Sequence, residues 1–170
     1  LKQNFTADEI NRKWCTDFTY LFLANHEVRY NCTIIDLHDR SVIANITDRN
    51  ITSDLSIRTL RKALESQPTI KEGLILHSDQ GSQYTSKAFT EFCESVNVTQ
   101  SMSKAGYPYD NAPMERYFNT LKNECTNLYE FTTEETLYQK VEEFAYVDYN
   151  HVRPHSYNGY RTPYEARTAA

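Results

Sequence analysis

Three acidic residues stand where a carboxylate can do chemistry. Asp17 lies inside an aromatic and β-branched stretch, where burying a charged group is costly unless a cation or hydrogen bonds compensate for it. Asp79 directly follows the apolar run 74–76, and Glu115 follows Pro113 at the start of a helical pattern. Together they would form an all-oxygen donor set of the kind that Mg²⁺ or Mn²⁺ prefers.

Each acid also has a plainer interpretation. Asp79 is suited to begin an Asx turn, and Glu115 would complement the dipole of its helix without any further role. Asp36 competes with Asp17 as the first acid because it too lies in a strand pattern, but the adjacent segment 38–40 favours a strand-end or turn role. The metal hypothesis therefore depends on all three acids meeting.

The elements that must position these acids follow from hydrophobic periodicity. Strand patterns over 12–23, 30–37 and 41–47 are joined by short turns and predict an antiparallel meander. The later pattern predicts a helix from Ser53 as N-cap to about Ser66, a buried strand over 73–78, a helix over 86–96, a short strand over 98–102, a loop over 103–113, a helix over 114–128 and a long helix over 133–149. The order predicts a mixed α/β sheet whose fourth strand runs parallel to the first strand or to a near neighbour.

Charge at first argues against a nucleic-acid partner, because the 170 residues carry a net charge of −5. Segment 130–148 holds six acids against Lys140 alone, so it carries that whole charge. We expect this segment to be a solvated face, or a face for a basic segment, turned away from DNA. The basic residues left elsewhere are Arg58, Arg61, Lys62, Lys104, Arg116, Lys122, Arg153, Arg161 and Arg167.

Composition indicates one globular domain, with 39% hydrophobic residues and no run of about 18 apolar residues. The expectation is a cytoplasmic protein without a membrane segment. The four cysteines form no CxxC pair, so we expect reduced and mostly buried thiols. The predicted organisation is a linker over 1–10, a core over 11–150 and a tail over 151–170.

Several motifs in order resemble the catalytic core of DDE insertion-sequence transposases. These are residues 14–20 (WCTDFTY), 77–84 (HSDQGSQY), 110–118 (DNAPMERYF), 121–124 (LKNE), 149–155 (YNHVRPH) and 159–163 (GYRTP). Within that class the chain is most similar to the integrase-like second-frame proteins, whose core is related to retroviral integrase. The resemblance spans about residues 5 to 165, with 35 residues between Asp79 and Glu115.

The resemblance implies a ribonuclease-H-like α/β fold with a mixed five-stranded sheet. It implies that Asp17, Asp79 and Glu115 are the catalytic, metal-binding triad, and that Lys122 contacts the DNA end. The chemistry needs two divalent ions, and we expect Asp17 to bridge both, with Asp79 on one and Glu115 on the other. The expected reaction is cleavage of DNA at an insertion-sequence end, followed by strand transfer into target DNA.

Other residues near the expected site have supporting roles. Lys104 and Arg116 add basic charge, and Tyr107 in the loop over the site would stack on an unpaired base or be a plain surface aromatic. His77 shares a strand face with Asp79 and would be a ligand, a hydrogen-bond partner or, more simply, a packed histidine. Asn111 is expected to cap the helix that bears Glu115.

Partners and alternatives complete the hypothesis. We expect a homo-oligomer, a dimer, on DNA, and the helix-turn-helix region that the family places upstream is absent from this chain. The alternatives are a ribonuclease-H-like nuclease that never joins strands, and an inactive DNA-binding module.

Overall fold

A five-stranded sheet forms the centre of the molecule. The computed structural model describes residue 1 and residues 4–70, 72–103 and 111–169. The strands are β1 (Lys13–Phe22), β2 (Val28–Asp36), β3 (Val42–Asp48), β4 (Ile75–Ser78) and β5 (Thr99–Met102). They lie in the order β3-β2-β1-β4-β5.

Strand directions confirm the predicted mixed sheet. The pairs β1–β2 and β2–β3 are antiparallel, while β4 pairs parallel with β1 and β5 parallel with β4. Strand β1 is therefore the central strand, and the two parallel strands are each reached through helices, as the handedness and length of parallel connections require.

Helices cover both faces of this sheet. They are α1 (Ser53–Ser66), α2 (Ser82–Thr85), α3 (Lys87–Ser95), α4 (Ala112–Glu124), α5 (Glu134–Glu143) and α6 (Pro163–Thr168), with 3₁₀ turns at Thr126–Leu128 and Ser156–Asn158. Thr52, not the predicted Ser53, caps α1, because its hydroxyl accepts from the Leu55 N–H at 3.1 Å. Among the elements described, the short helices α2 and α6 were absent from the sequence prediction.

Alternate residues of β1 and β2 face two separate cores. Cys15 and Ile35 pack on one face with α4 and α5, whereas Trp14 and Ile34 pack on the other with α1 and α3. This two-residue alternation is the ordinary consequence of strand geometry, and burial on both faces explains the near-continuous apolar pattern. All four cysteines are free and buried, as predicted.

The predicted last helix is two segments, α5 and a π-helical segment at Phe144–Val152. The π-helical segment covers the edge of the sheet, because the Asn150 amide accepts from the Val42 N–H at 2.8 Å and donates to the Val42 carbonyl at 2.9 Å. These contacts satisfy the backbone groups of Val42, which would otherwise be open to another strand.

The acidic segment 130–148 finds its basic partners within the chain. Glu134 pairs with Arg29 at 3.1 Å and with Arg49 at 2.5 Å, and Glu142 pairs with Lys62 at 2.7 Å. Two roles were predicted for this segment, a solvated face and a face for a basic segment, and these pairs fit the second. The basic residues are Arg29 on β2, Arg49 just after β3, and Lys62 on α1.

Four basic residues that the charge argument left free are paired. Arg58 pairs with Asp48 and Asp54, Lys62 with Glu142, Arg153 with Glu124, and Arg167 with Asp36 and Asp39. The formal count missed these contacts because most of them join segments far apart in sequence. Within the described parts of the chain, no helix is long and apolar enough to cross a membrane.

Candidate active site

The parallel pairing of β1 and β4 brings two of the predicted acids to one place. Cys15 lies opposite His77, and continuing this register by two residues aligns Asp17 with Asp79. Asp17 shares a strand face with Cys15, which packs towards α4, the helix whose first turn carries Glu115. Two strands and one helix thus bring the three acids close enough for Asp79 and Glu115 to act on the charge of Asp17.

Asn111 ties the start of α4 to β1. Its buried amide donates to the Thr16 carbonyl at 3.1 Å and to Oδ2 of Asp17 at 3.3 Å. The predicted cap is therefore wrong in one respect, because Asn111 occupies the N-cap position but its side chain makes no capping hydrogen bond. The side chain is turned towards β1, so its Oδ1 does not accept from the helix N–H groups, of which Pro113 leaves one fewer to satisfy.

Electrostatics link the three acids. The pKa of Asp17 is raised to about 7, first by burial and then by the neighbouring charges of Asp79 and Glu115. Hydrogen bonds from the Phe18 N–H and the Asn111 amide act in the opposite direction. Three carboxylates that repel one another across such a site are what a bound cation would relieve.

The three carboxylates differ in burial, and Asp17 is the half-buried one. Asp79 and Glu115 are exposed, and Oδ1 of Asp79 accepts from the Gly81 N–H at 2.8 Å, so the Asx-turn interpretation of Asp79 is also correct. In the ranges the structure describes, no three acidic, histidine or cysteine side chains already form a metal-binding group. The donor chemistry nevertheless fits a hard divalent cation, because every donor is a carboxylate oxygen and the hydrogen bond to Gly81 uses only one oxygen of Asp79.

The remaining predicted residues fall into three groups. His77 is a packed histidine, buried, with its Nδ1 at 3.0 Å from Ser101 Oγ and its Nε2 at 3.2 Å from Ser103 Oγ. Arg116 is exposed beside Glu115 on α4, and Lys122 is half-buried two turns further along. Lys104 and Tyr107 lie outside the described residues.

Asp36, the competing first acid, has a structural role. It is fully buried at the end of β2, accepts from the N–H groups of Asn11 and His38, and pairs with Arg167 at 3.1 Å. Its partners are turn and tail residues, so the favoured strand-end interpretation is confirmed.

Sequence reasoning missed a groove and a cavity around the start of α4. The groove, about 380 Å³, contains Glu115, Arg116 and Asn119 and runs along α4. The cavity, about 420 Å³, has Arg40, Tyr149 and His155 in its wall. These residues come from distant segments, and neither polarity nor periodicity signals that they meet.

The sheet order and the acids at its edge define a ribonuclease-H-like α/β protein. Sequence comparison agrees, because the family described as "Integrase core domain" matches residues 7–108, and a second family of the same description matches residues 96–163. The chain belongs to the integrase core domain family.

Curated relatives and solved structures are similar over nearly the whole chain. "Transposase InsF for insertion sequence IS3A" of Escherichia coli (strain K12) is 34% identical over 96% of this chain and 56% of its own length. "Insertion element IS600 uncharacterized 31 kDa protein" of Shigella sonnei is also 34% identical, over 96% of this chain and 59% of its own. The chain thus spans less than two thirds of the curated relatives it matches.

Two retroviral structures show the same fold. The HTLV-2 integrase catalytic core domain in complex with magnesium (trimeric form) has a TM-score of 0.71 at 18% identity, covering 95% of this chain and 99% of its own. The simian T-cell lymphotropic virus intasome has a TM-score of 0.79 at 17% identity, covering 95% of this chain and 56% of its own. These likenesses confirm the predicted ribonuclease-H-like fold.

Proposed function

We propose that the chain is the catalytic core of a DDE-type transposase that cleaves DNA strands at insertion-sequence ends and transfers them to target DNA. The observation that carries the proposal is electrostatic proximity, because the charges of Asp79 and Glu115 both raise the pKa of Asp17. Membership of the integrase core domain family and the similarity to "Transposase InsF" support the same function.

In this proposal the three carboxylates hold Mg²⁺ or Mn²⁺, with two ions per site. When bound, such ions supply activation of the attacking oxygen and charge stabilisation at the leaving oxygen of a phosphodiester. Asn111 orients the Asp17 carboxylate through its 3.3 Å hydrogen bond, and α4 holds Glu115 on the same side.

DNA contacts belong to the basic residues around the start of α4. Arg116 and Lys122 lie on α4 with Glu115, and Lys104 and Tyr107 precede α4 in the sequence. Positive groups beside a scissile phosphate bind the backbone through charge, which makes binding salt-dependent. We further propose that two copies assemble on DNA, in the cytoplasm, with an upstream helix-turn-helix region supplying part of the end recognition.

The Asp79→Asn variant of the full-length protein tests the proposal. We expect joining of the element's own end oligonucleotides to target DNA in Mg²⁺ to fall by more than about a hundredfold, because the amide replaces an anionic ligand with a neutral one. Asp54→Asn, an exposed acid on α1, is the matched control and should keep full activity. Undiminished joining by Asp79→Asn would overturn the proposed site.

Product analysis separates the alternatives. A nuclease without joining activity would give nicked but no joined oligonucleotides on the same substrates. An inactive DNA-binding module would give neither product and would bind no Mn²⁺ in calorimetry. Only the transposase function predicts joined products whose formation requires Asp17, Asp79 and Glu115.

A further inference from the structure

The cavity beside the start of α4 has the size and walls of a ligand site. Its volume is about 420 Å³, within the range of roughly 300–1,000 Å³ for small-molecule sites. Apolar and aromatic walls come from Phe5, Ile35, Pro113, Tyr149 and Tyr157, and polar walls come from Arg40, Arg116 and His155. No residue of the catalytic triad belongs to it.

Arg40 is a buried cation with spare hydrogen-bonding capacity. It is 9% exposed, donates through Nη2 to the Phe5 carbonyl at 2.7 Å, and stacks 4.0 Å from the ring centre of Tyr157. Its Nη1 is buried and has no acceptor in the described part of the chain. A charged donor without an acceptor, away from water, costs free energy. An anionic oxygen that accepts from Nη1 of Arg40 would therefore bind favourably.

The surroundings of Arg40 are electropositive. Arg40, Arg116 and Arg153 all lower the pKa of His155, which burial first depresses, to about 4. The same three arginines act to lower the pKa of Tyr149, which also lines the cavity, although burial raises it overall. Arg153 is already paired with Glu124 at 2.7 Å, which leaves Arg40 and Arg116 to face an incoming anion.

We propose that this cavity binds one unpaired nucleotide, with its phosphate at Arg40 and Arg116 and its base against Tyr149 and Tyr157. Guanidinium groups pair well with phosphate, and aromatic rings stack on any base. Ala112 and Arg116 also line the groove that contains Glu115, so the cavity opens beside the proposed catalytic edge. We take the nucleotide to come from a DNA strand displaced near that edge, and this assumption rests on the proposed function.

Binding of dTMP to the full-length protein in EDTA tests the proposal apart from catalysis. Saturation-transfer NMR would give dissociation constants for dTMP, thymidine and inorganic phosphate. We expect dTMP to bind at least about tenfold more tightly than either part alone, because the cavity offers both a cationic and an aromatic wall.

Variants assign the binding to this cavity. Arg116→Gln, at an exposed position, should weaken dTMP binding about tenfold, and Tyr157→Leu should remove most of the advantage of dTMP over phosphate. Lys87→Gln, which removes an exposed charge from α3, is the matched control and should change nothing.

The failure of this proposal is distinguishable from failure of the proposed function. Asp79→Asn, expected to be inactive in joining, should bind dTMP normally. Equal affinity for phosphate and dTMP, or equal losses of dTMP affinity in Arg116→Gln and Lys87→Gln, would overturn the nucleotide site. Either result would leave the proposed catalytic residues to be tested separately by the joining assay.

Discussion

Replacing Arg167 with methionine should lower the free energy of unfolding by about 3–5 kcal/mol, because it leaves two buried carboxylates without their cation. Arg167 on α6 pairs with Asp36 at 3.1 Å and Asp39 at 2.7 Å, and both aspartates are fully buried. Its other nitrogen donates to Asn11 at 2.9 Å and to Gln67 at 2.5 Å. Urea unfolding followed by circular dichroism measures the loss.

Two comparisons identify the cause of the destabilisation. Arg161→Met changes a neighbouring exposed arginine and should alter stability by less than about 0.5 kcal/mol. The triple variant Asp36→Asn, Asp39→Asn, Arg167→Met should recover part of the loss, because it removes the uncompensated charges together with their partner. If the triple variant were less stable than Arg167→Met, unpaired charge would not be the cause.

Replacing Asp17 with asparagine should have opposite effects on stability and on cation binding. In the metal-free protein the raised pKa of about 7 means that folded Asp17 keeps a proton that the unfolded chain releases. Stability of the wild type therefore falls as pH rises from about 4 to about 7. Asp17→Asn removes this fall and should be about 2 kcal/mol more stable than the wild type at pH 8.

The same variant should lose calorimetrically detectable Mn²⁺ binding, since one of the three proposed metal ligands would be gone. Glu115→Gln is the matched comparison, because this exposed acid should weaken Mn²⁺ binding without changing stability by more than about 0.5 kcal/mol. An Asp17→Asn protein less stable than the wild type at pH 8 would contradict the assigned electrostatic cost. Retained Mn²⁺ affinity would remove Asp17 from the proposed site.

The sheet could be predicted from the sequence because its strands and crossovers depend on residues that are close together in the chain. The alternation in β1 and β2 comes from neighbouring residues, and the parallel direction of β4 follows from the helical crossover before it. The same reasoning placed Asp17 in the first strand and Asp79 just after the fourth, and these two strands are paired in parallel.

Other features depend on contacts that no local pattern reveals. Asn111 has an ordinary N-cap position, yet its amide is taken by Thr16 and Asp17, which are 95 and 94 positions away. In the sequence Arg167 looks like an ordinary surface arginine, but in the structure it pairs with buried aspartates. The π-helical segment was also missed, because its hydrogen-bond shift leaves no signature in the spacing of apolar residues.

The contacts of Arg167 also set when the chain can finish folding. Its partners Asn11, Asp36 and Gln67 lie 156, 131 and 100 positions earlier. Contacts of such sequence separation close large loops and form late, so the sheet can assemble during synthesis while the turn after β2 still lacks its cation. Until Arg167 has left the ribosome and packed, the assembled sheet still has Asp36 and Asp39 without their cation, and we expect this incomplete chain to be the species most exposed to proteolysis.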